Sequence, residues 1–418
     1  MLNSKVDEPL ALPANLAWGT EPTARYEALA ENFRPVLAKI REGAIERDLN
    51  RGLPVDAIAE LKATGFGALR VPTDYFGFNA SLPEFFALLI ELGEADSNIA
   101  QALRGHFAFV EDLLNFGPTP FAERWLTKVG NKQTVGNAMA EIGPKAMQQS
   151  LATRLTGTGD VLRVDGSKYY TTGSLYADWV EVSADNDDGE PVIAMVARHE
   201  EGVEIIDDWD GFGQTLTASG SAHFTNVRVD AMEVRPLSSR FGYATAFFQL
   251  YHLATIAGVG RAVTGDTARL VAARTRVYSH GAGSRSSNDP QILQLVGQMR
   301  GAAYAAGATV MQVARSLQRA ADLAASGDQE AAERAFSIVE LETAQAQTVV
   351  IDLVLDAATK AFDTLGASST KKDVGLDRHW RNVRTIACHN PRVYKQRIIG
   401  DYAVNGTAPP FQWVVGAV

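Results

Sequence analysis

The stretch Asp165-Gly166-Ser167-Lys168-Tyr169-Tyr170-Thr171-Thr172-Gly173 decides how the rest of the chain divides. Asp-Gly is a tight-turn dipeptide, and the aromatic and β-branched residues after it suit a pleated strand. Working outward, residues from Thr134 to about Pro236 keep this texture, in short alternating runs at Trp179 to Ala184, Val192 to Ala197 and His223 to Val229. Turn chemistry at Gly157-Thr158-Gly159-Asp160 and Asp188-Gly189 separates the runs. A β unit is expected here. The flanks read differently. From about Pro22 to Lys132 the signals are helical: Ser81 and Glu84 have capping-box spacing, Pro83 sits in the first turn, and Phe86, Leu89, Ile90 and Gly93 share one face.

Helix returns from about Phe241 to Asn405, and its longest element opens at Asp289-Pro290 and closes near Gly327. Along it Ile292, Val296, Met299, Ala303, Ala306, Val310, Val313 and Leu317 alternate steps of four and three, a seam that wants a helical partner. Between Gln291 and Leu317 only Arg300 and Arg315 are charged, so faces beyond the seam are expected to be covered, either by a subunit interface or within one subunit. The order helical, β, helical predicts an α+β, mainly α protein divided at 1–132, 133–238 and 239–418.

Composition excludes several function classes. A chain of 418 residues is expected to form two or three packed units. Its 46% apolar and 21% charged residues are ordinary for a globular protein. A net charge of -10 with no basic run disfavours nucleic acid as a partner. No leader pattern precedes Trp18 and no apolar run is long enough to cross a membrane, so neither export nor a membrane span is expected. The single cysteine, Cys388, cannot form an intrachain disulfide and fits a cytoplasmic location.

Each G-x-G lacks the third glycine of a dinucleotide-binding turn: Leu162, Leu216, Val263 and Ser286 stand where it would be. The seven histidines show no metal-ligand spacing, and Asp185, Asp187 and Asp188 read as a solvated hairpin, so no metal is expected. Cys388 beside His389 is a poor nucleophile pair, because adjacent side chains diverge. What remains is a cofactor site built from loops.

Three segments together resemble the acyl-CoA dehydrogenase superfamily, and more closely its flavin-dependent monooxygenase branch of dibenzothiophene and sulfur-acquisition enzymes. They are Gly136-Asn137-Ala138-Met139-Ala140-Glu141, the 165–173 stretch, and Leu376-Asp377-Arg378-His379-Trp380-Arg381-Asn382-Val383-Arg384-Thr385, continuing through Cys388-His389-Asn390-Pro391 to Val404-Asn405-Gly406. The resemblance implies an N-terminal helical domain, a middle β-barrel-like domain and a C-terminal four-helix bundle. It also implies a homotetramer using FMN, with FAD as the alternative.

The resemblance places Thr172 against flavin N5, flanked by Tyr170 and Thr171, with Lys168 in the same motif and Trp209 near the ring. A hydroxyl there can bond the nitrogen that gains a proton on reduction. Asn137 lies at the ring edge by the same comparison, where its amide can donate to a carbonyl or a peroxide oxygen. Dehydrogenases of this fold carry a glutamate base where this chain has Asn390, and the alternative base site, between Phe247 and Gly258, holds no acid. His389 stands just before, matching a histidine of the monooxygenase branch that can stabilise a C4a-hydroperoxide or donate a proton. His106 and Phe107 fall at the expected substrate pocket, where Gly105 replaces a tyrosine. Close relatives carry Arg-Pro-Trp at Tyr278-Ser279-His280, so Arg276 or Arg285 is left to grip the flavin phosphate, and the other phosphate-side arginine, in the loop of Ala367, is Ser368 here.

The resemblance therefore implies a two-component monooxygenase that acts on a small organosulfur, aromatic or amine substrate with O2. No nicotinamide signature is present, so a separate NAD(P)H:flavin reductase is expected to supply reduced flavin. The rivals are an acyl-CoA dehydrogenase or oxidase with a relocated base, and a flavin or ligand carrier without catalysis.

Overall fold

The computed structural model describes residues 17–18, 23–141, 151–237 and 240–411. The expected junction at 238 and 239, and most of the stretch before Trp18, lie outside them. The N-terminal helices are α1 (Ala24–Glu31), α2 (Arg34–Glu42), α3 (Ala44–Asn50), α4 (Val55–Ala63), α5 (Leu82–Ala95), α6 (Ser97–Ala102), α7 (Arg104–Asn115) and α8 (Pro120–Gly130). The strands are β1 (Val135–Ala138), β2 (Arg154–Thr156), β3 (Val161–Lys168), β4 (Trp179–Asp185), β5 (Pro191–Ala197), β6 (Val203–Ile205), β7 (Ala222–Asp230) and β8 (Val234–Pro236). Helices α9 (Ala244–Ala273), α10 (Pro290–Ser326), α11 (Gln329–Leu365), α12 (Asp377–Ala387) and α13 (Val393–Asn405) complete the chain. The fold is mainly α with a sheet in the middle, as the sequence pattern requires.

The helix ends obey local chemistry. Ser81 accepts from the Glu84 amide while the Glu84 carboxylate takes the Ser81 amide, a complete capping box at the head of α5. Asp289 caps α10 ahead of Pro290, and Gly327, left-handed at φ 81, ends it. The α10 seam packs within the chain: Met299, Ala303, Ala306, Val310, Val313 and Leu317 are buried, and α10 lies along α11 and α9. Its other face stays open, with Leu293 and Tyr304 about half exposed and nothing within 4 Å of a side chain added at Gly297 or Gly301.

The sheet is curled and its strands run in the order β6-β7-β3-β2-β4-β5-β8, with β1 pairing parallel to β4. Side-chain alternation along β5 divides two cores. Val192, Ala194 and Val196 face the interior of the β layer, while Ile193 and Met195 pack with Phe109, Leu113 and Trp125 of α7 and α8. A buried ion cluster reinforces that seam: Arg235 on β8 bonds Asp112 on α7 and Glu181 on β4, and Arg240 adds a 2.6 Å contact to Asp112.

The helical halves meet where α5 crosses α9. A Cβ on Gly258 would stand 2.5 Å from the Ile90 carbonyl oxygen and 2.6 Å from the Glu94 amide nitrogen, and one on Gly93 would stand 2.9 Å from the Thr255 carbonyl oxygen. The backbones touch because neither residue has a side chain. Gly258→Ala is therefore expected to destabilise the protein by about 1–3 kcal/mol through forced separation of the helices. Gly265→Ala on the same helix, with open space around it, should be neutral or stabilising by up to about 1 kcal/mol. Thermal or urea unfolding of the two variants checks this, and equal effects would overturn the close-crossing argument.

Candidate active site

The segment following β3 builds a ridge with two faces. The amides of Tyr169, Thr171 and Gly173 donate inward to the carbonyls of Ala140, Gly220 and Thr217. The alternate amides, of Tyr170 and Thr172, have no hydrogen-bond partner among the described residues, so the chain presents two free donors on its outer side. Tyr170 holds a left-handed backbone at φ 57, and its exposed ring lies 6.1 Å from that of Trp209. The Thr172 hydroxyl pairs with Ser219 at 2.7 Å, whereas that of Thr171 is buried against the Gly220 carbonyl at 3.0 Å. Gly173, at φ 79, seats the ridge on α6, where any Cβ would collide with the Ala102 carbonyl.

The loop after Trp209 docks the ridge onto α12. The indole N–H donates to the Gly213 carbonyl at 3.1 Å, and the Gln214 amide donates to Asn382 at 2.7 Å. Asn137 on β1 donates to the Tyr170 carbonyl at 3.4 Å. A Cβ at position 105 would stand 2.6 Å from the Asn137 side-chain oxygen, so Gly105 is what lets α7 approach the ridge so closely.

Beside Gly105, Arg104 opens α7 and reaches across to the turn after α12, where its Nη2 donates to His389 Nε2 at 3.2 Å. Arginine carries no acceptor, which leaves the His389 proton on Nδ1, facing the Asn390 side-chain oxygen at 3.3 Å. Asn390 donates in turn to Gln249 at 2.7 Å, and its carbonyl accepts from Gln347 at 3.2 Å. His252, wholly buried on α9, stacks obliquely on His389 with ring centroids 4.4 Å apart. It contacts Gln101 through Nδ1, and its Nε2 has no partner. Among the described residues no carboxylate bonds to Arg104, His252, His389 or Asn390.

The electrostatics reflect that composition. His389 is exposed to solvent although Arg104, His252 and Asn390 crowd it on the protein side. Burial, then the Arg104 charge, push its pKa down to about 3, against water reaching the open face. The sequence alone placed this imidazole near working pH; the structure makes it a neutral hydrogen-bonding group instead. His252 is driven down by burial, then by His389 and Arg104.

Several expected site residues lie elsewhere. Lys168 points into the β layer, bonding Glu141 at 2.6 Å and Ser183 at 2.9 Å, because strand alternation turns its side chain away from the face that Tyr169 borders. Its contact, the Ala152 amide and the Thr153 hydroxyl hold Glu141 at about 2 in spite of burial. Phe107 is fully buried against Phe66, Phe85 and Tyr251 and lines no cleft. His106 is a structural tie: Nδ1 accepts the Val135 amide at 3.2 Å and Nε2 donates to the Gly67 carbonyl at 2.9 Å. Burial keeps it neutral, pushing its pKa to about 4.

Arg276 and Arg285, both exposed, lie in the segment after α9, and Ala367 and Ser368 follow α11. Arg274 joins the two segments by bonding the Leu365 carbonyl. This group makes no hydrogen bond to the ridge. Sequence reasoning missed Arg104, Gln249 and His252. The available signal was a cation directly before Gly105, and a histidine within the very span, Phe247 to Gly258, that lacked an acid.

Comparison with known proteins agrees with this layout. The model of the acyl-CoA dehydrogenase N-terminal domain matches residues 23–133, and that of the C-terminal domain matches residues 250–391. A probable FMNH2-dependent monooxygenase, SfnC of Pseudomonas putida, is 26% identical over 90% of this chain and 96% of its own. The dibenzothiophene monooxygenase of Rhodococcus qingshengii is 26% identical over 93% and 94%. Among solved structures, methanesulfinate monooxygenase MsuC from Pseudomonas fluorescens superimposes with a TM-score of 0.81 at 25% identity, covering 94% of this chain and all of that one. FMN-bound TdsC from Paenibacillus sp. A11-2 gives 0.81 at 22% identity, with the same coverage.

The Arg104 charge adds to burial in holding His389 neutral, so removing it should relax part of the depression. In Arg104→Gln the His389 midpoint, followed by NMR with labelled imidazole nitrogens, is expected to rise toward the ordinary value of about 6.5. An unmoved midpoint would show that burial alone sets it.

Proposed function

The chain belongs to the acyl-CoA dehydrogenase family, and from that premise we propose that it is a flavin-dependent monooxygenase, using reduced FMN and O2 to oxygenate a small organosulfur, aromatic or amine substrate. One observation carries the reading: where a dehydrogenase needs a carboxylate to abstract a proton, this site holds Arg104, His389, Asn390 and His252. None of them is an acid. An amide and a cation-bound imidazole cannot serve as that base, but they can hold and orient a polar oxygen.

The residues present suit a flavin. Its ring edge carries carbonyl oxygens and a nitrogen, all of which accept hydrogen bonds. The ridge offers the Tyr170 and Thr172 amides, the Thr172 hydroxyl and the Asn137 amide on one side. Trp209 and Tyr170 supply flat apolar surface beside them. Arg276 and Arg285, with Ser368 nearby, would serve the phosphate of FMN, or of the larger FAD, at this end of the bundle. Reduced flavin, when bound, supplies the two electrons that activate O2 at its C4a carbon.

This chain's own residues do the rest. Asn137 and Thr172 orient the ring edge, His389, held between Arg104 and Asn390, forms the neutral polar side of the site where oxygen is transferred, and the β unit packed on the helices excludes water. A separate NAD(P)H:flavin reductase fits the absence of a dinucleotide-binding turn in the sequence. A homotetramer would cover the open face of α10 around Leu293, Gly297 and Tyr304.

With FMN, NADH and a general flavin reductase, a panel of organosulfur, aromatic and amine compounds should yield a product carrying heavy oxygen from labelled O2. His389→Phe should lower that rate by about 100-fold with the flavin still bound. Rapid anaerobic bleaching of bound flavin by an acyl-CoA would sink the proposal in favour of dehydrogenation. Consumption of NADH with no oxygenated product in any assay would favour a carrier.

A further inference from the structure

Arg104 is a desolvated cation without a counter-charge. Protein surrounds its guanidinium, and its Nε is buried without any hydrogen-bond partner. Burial lowers its pKa to about 10, and the next charge acting on it after Tyr251 is another cation, Arg240. Its contacts are a neutral imidazole and the face of Phe248, 5.1 Å from the ring centroid. Nη1 has no hydrogen bond among the described residues.

Most other buried cations of this chain meet a carboxylate directly, and the exception, Arg261, still feels Glu94 and Glu91 nearby. Arg70 is paired to Glu111, Arg235 to Asp112 and Glu181, Arg378 to Asp266, and Lys168 to Glu141. Arg240 itself, which also faces Phe248, is bound to Asp112 and Glu181. A lone guanidinium in such a setting is costly unless something anionic completes it. Arg104 is partly exposed and its partner His389 is exposed, so an anion can reach the pair from solvent.

We propose that Arg104 anchors the substrate, and that the substrate is a small organic oxyanion, a carboxylate, sulfinate or sulfonate, with an apolar body beside Phe248. The inference rests on the oxygenase reading for which molecule is held there, but the recognition itself is a binding event. An oxyanion accepting from Arg104 Nη1 sits at the group that fixes His389, next to the oxygen-handling side of the site. A guanidinium can donate roughly parallel hydrogen bonds to two oxygens of an oxyanion, with a charge attraction that no neutral isostere offers.

The test needs no turnover. FMN-loaded protein is titrated with benzoate and benzenesulfinate and with their neutral counterparts benzamide and methyl phenyl sulfoxide, following the flavin absorbance. Each anion should bind about 10- to 100-fold more tightly than its neutral counterpart. Arg104→Gln should bring the ratio to near one with FMN affinity unchanged, and Arg104→Lys should keep part of it. Equal binding of anions and neutrals by the unmodified protein overturns the proposal, and so does an anion preference that survives in Arg104→Gln. Loss of FMN from a folded Arg104→Gln also overturns it, since the guanidinium would then serve the flavin phosphate or ring. Labelled-oxygen incorporation, measured separately, reports on the oxygenase reading alone, so the two can fail independently.

Discussion

Backbone contact between α5 and α9 at Gly93 and Gly258 is the constraint from which the site geometry descends. With the helices this close, α5 cannot shift along α9 without steric collision. The next two helices of the chain are thereby placed: α6 carries Gln101, and α7 begins at Arg104. Gln249 and His252, both on α9, are placed by the same contact. The imidazole of His389 arrives from a third direction, in the turn after α12, whose start is tied to α9 by Arg378 and His379 on Asp266. His379 and Arg378 hold that carboxylate below its usual range despite burial. Three helices thus converge on one cleft wall, each fixed by a contact outside it.

The β layer meets this wall through equally short-range devices. Gly173 on α6 and Gly213 on α12 let the ridge settle against both helices, and Gly105 lets α7 reach Asn137. Hydrogen bonds at Trp209 and Gln214 then keep the ridge in register. Such a site resists adjustment, because every wall is backed by close-packed backbone. That rigidity suits a pocket whose task is to hold a flat ring and keep water out.

Much of the scaffold could be read in the sequence because local chemistry encodes it. The Ser81 capping box, the Asp289 and Gly327 ends of α10 and the α10 seam each depend on residues a few positions apart. The ridge was legible from Asp165-Gly166 and the residues after it, and Asn137 from its own segment. Convergence was not. Arg104 and His252 lie 148 positions apart and gain meaning only once α5 is laid on α9. Lys168 departs from expectation for a different reason: a motif names neighbours along the chain, but alternation sends consecutive side chains to opposite faces. His106, expected in the pocket, is satisfied on both nitrogens by backbone groups, which no local pattern announces.

The pairing of Arg104 with His389 also couples recognition to chemistry. An imidazole that accepts from a guanidinium at Nε2 is committed to the Nδ1–H form and resists protonation. An anion bound to the same guanidinium offsets the charge that, after burial, holds His389 down. The imidazole then becomes easier to protonate only when the cleft is occupied. Burial, the larger cause, would still hold it below its ordinary value.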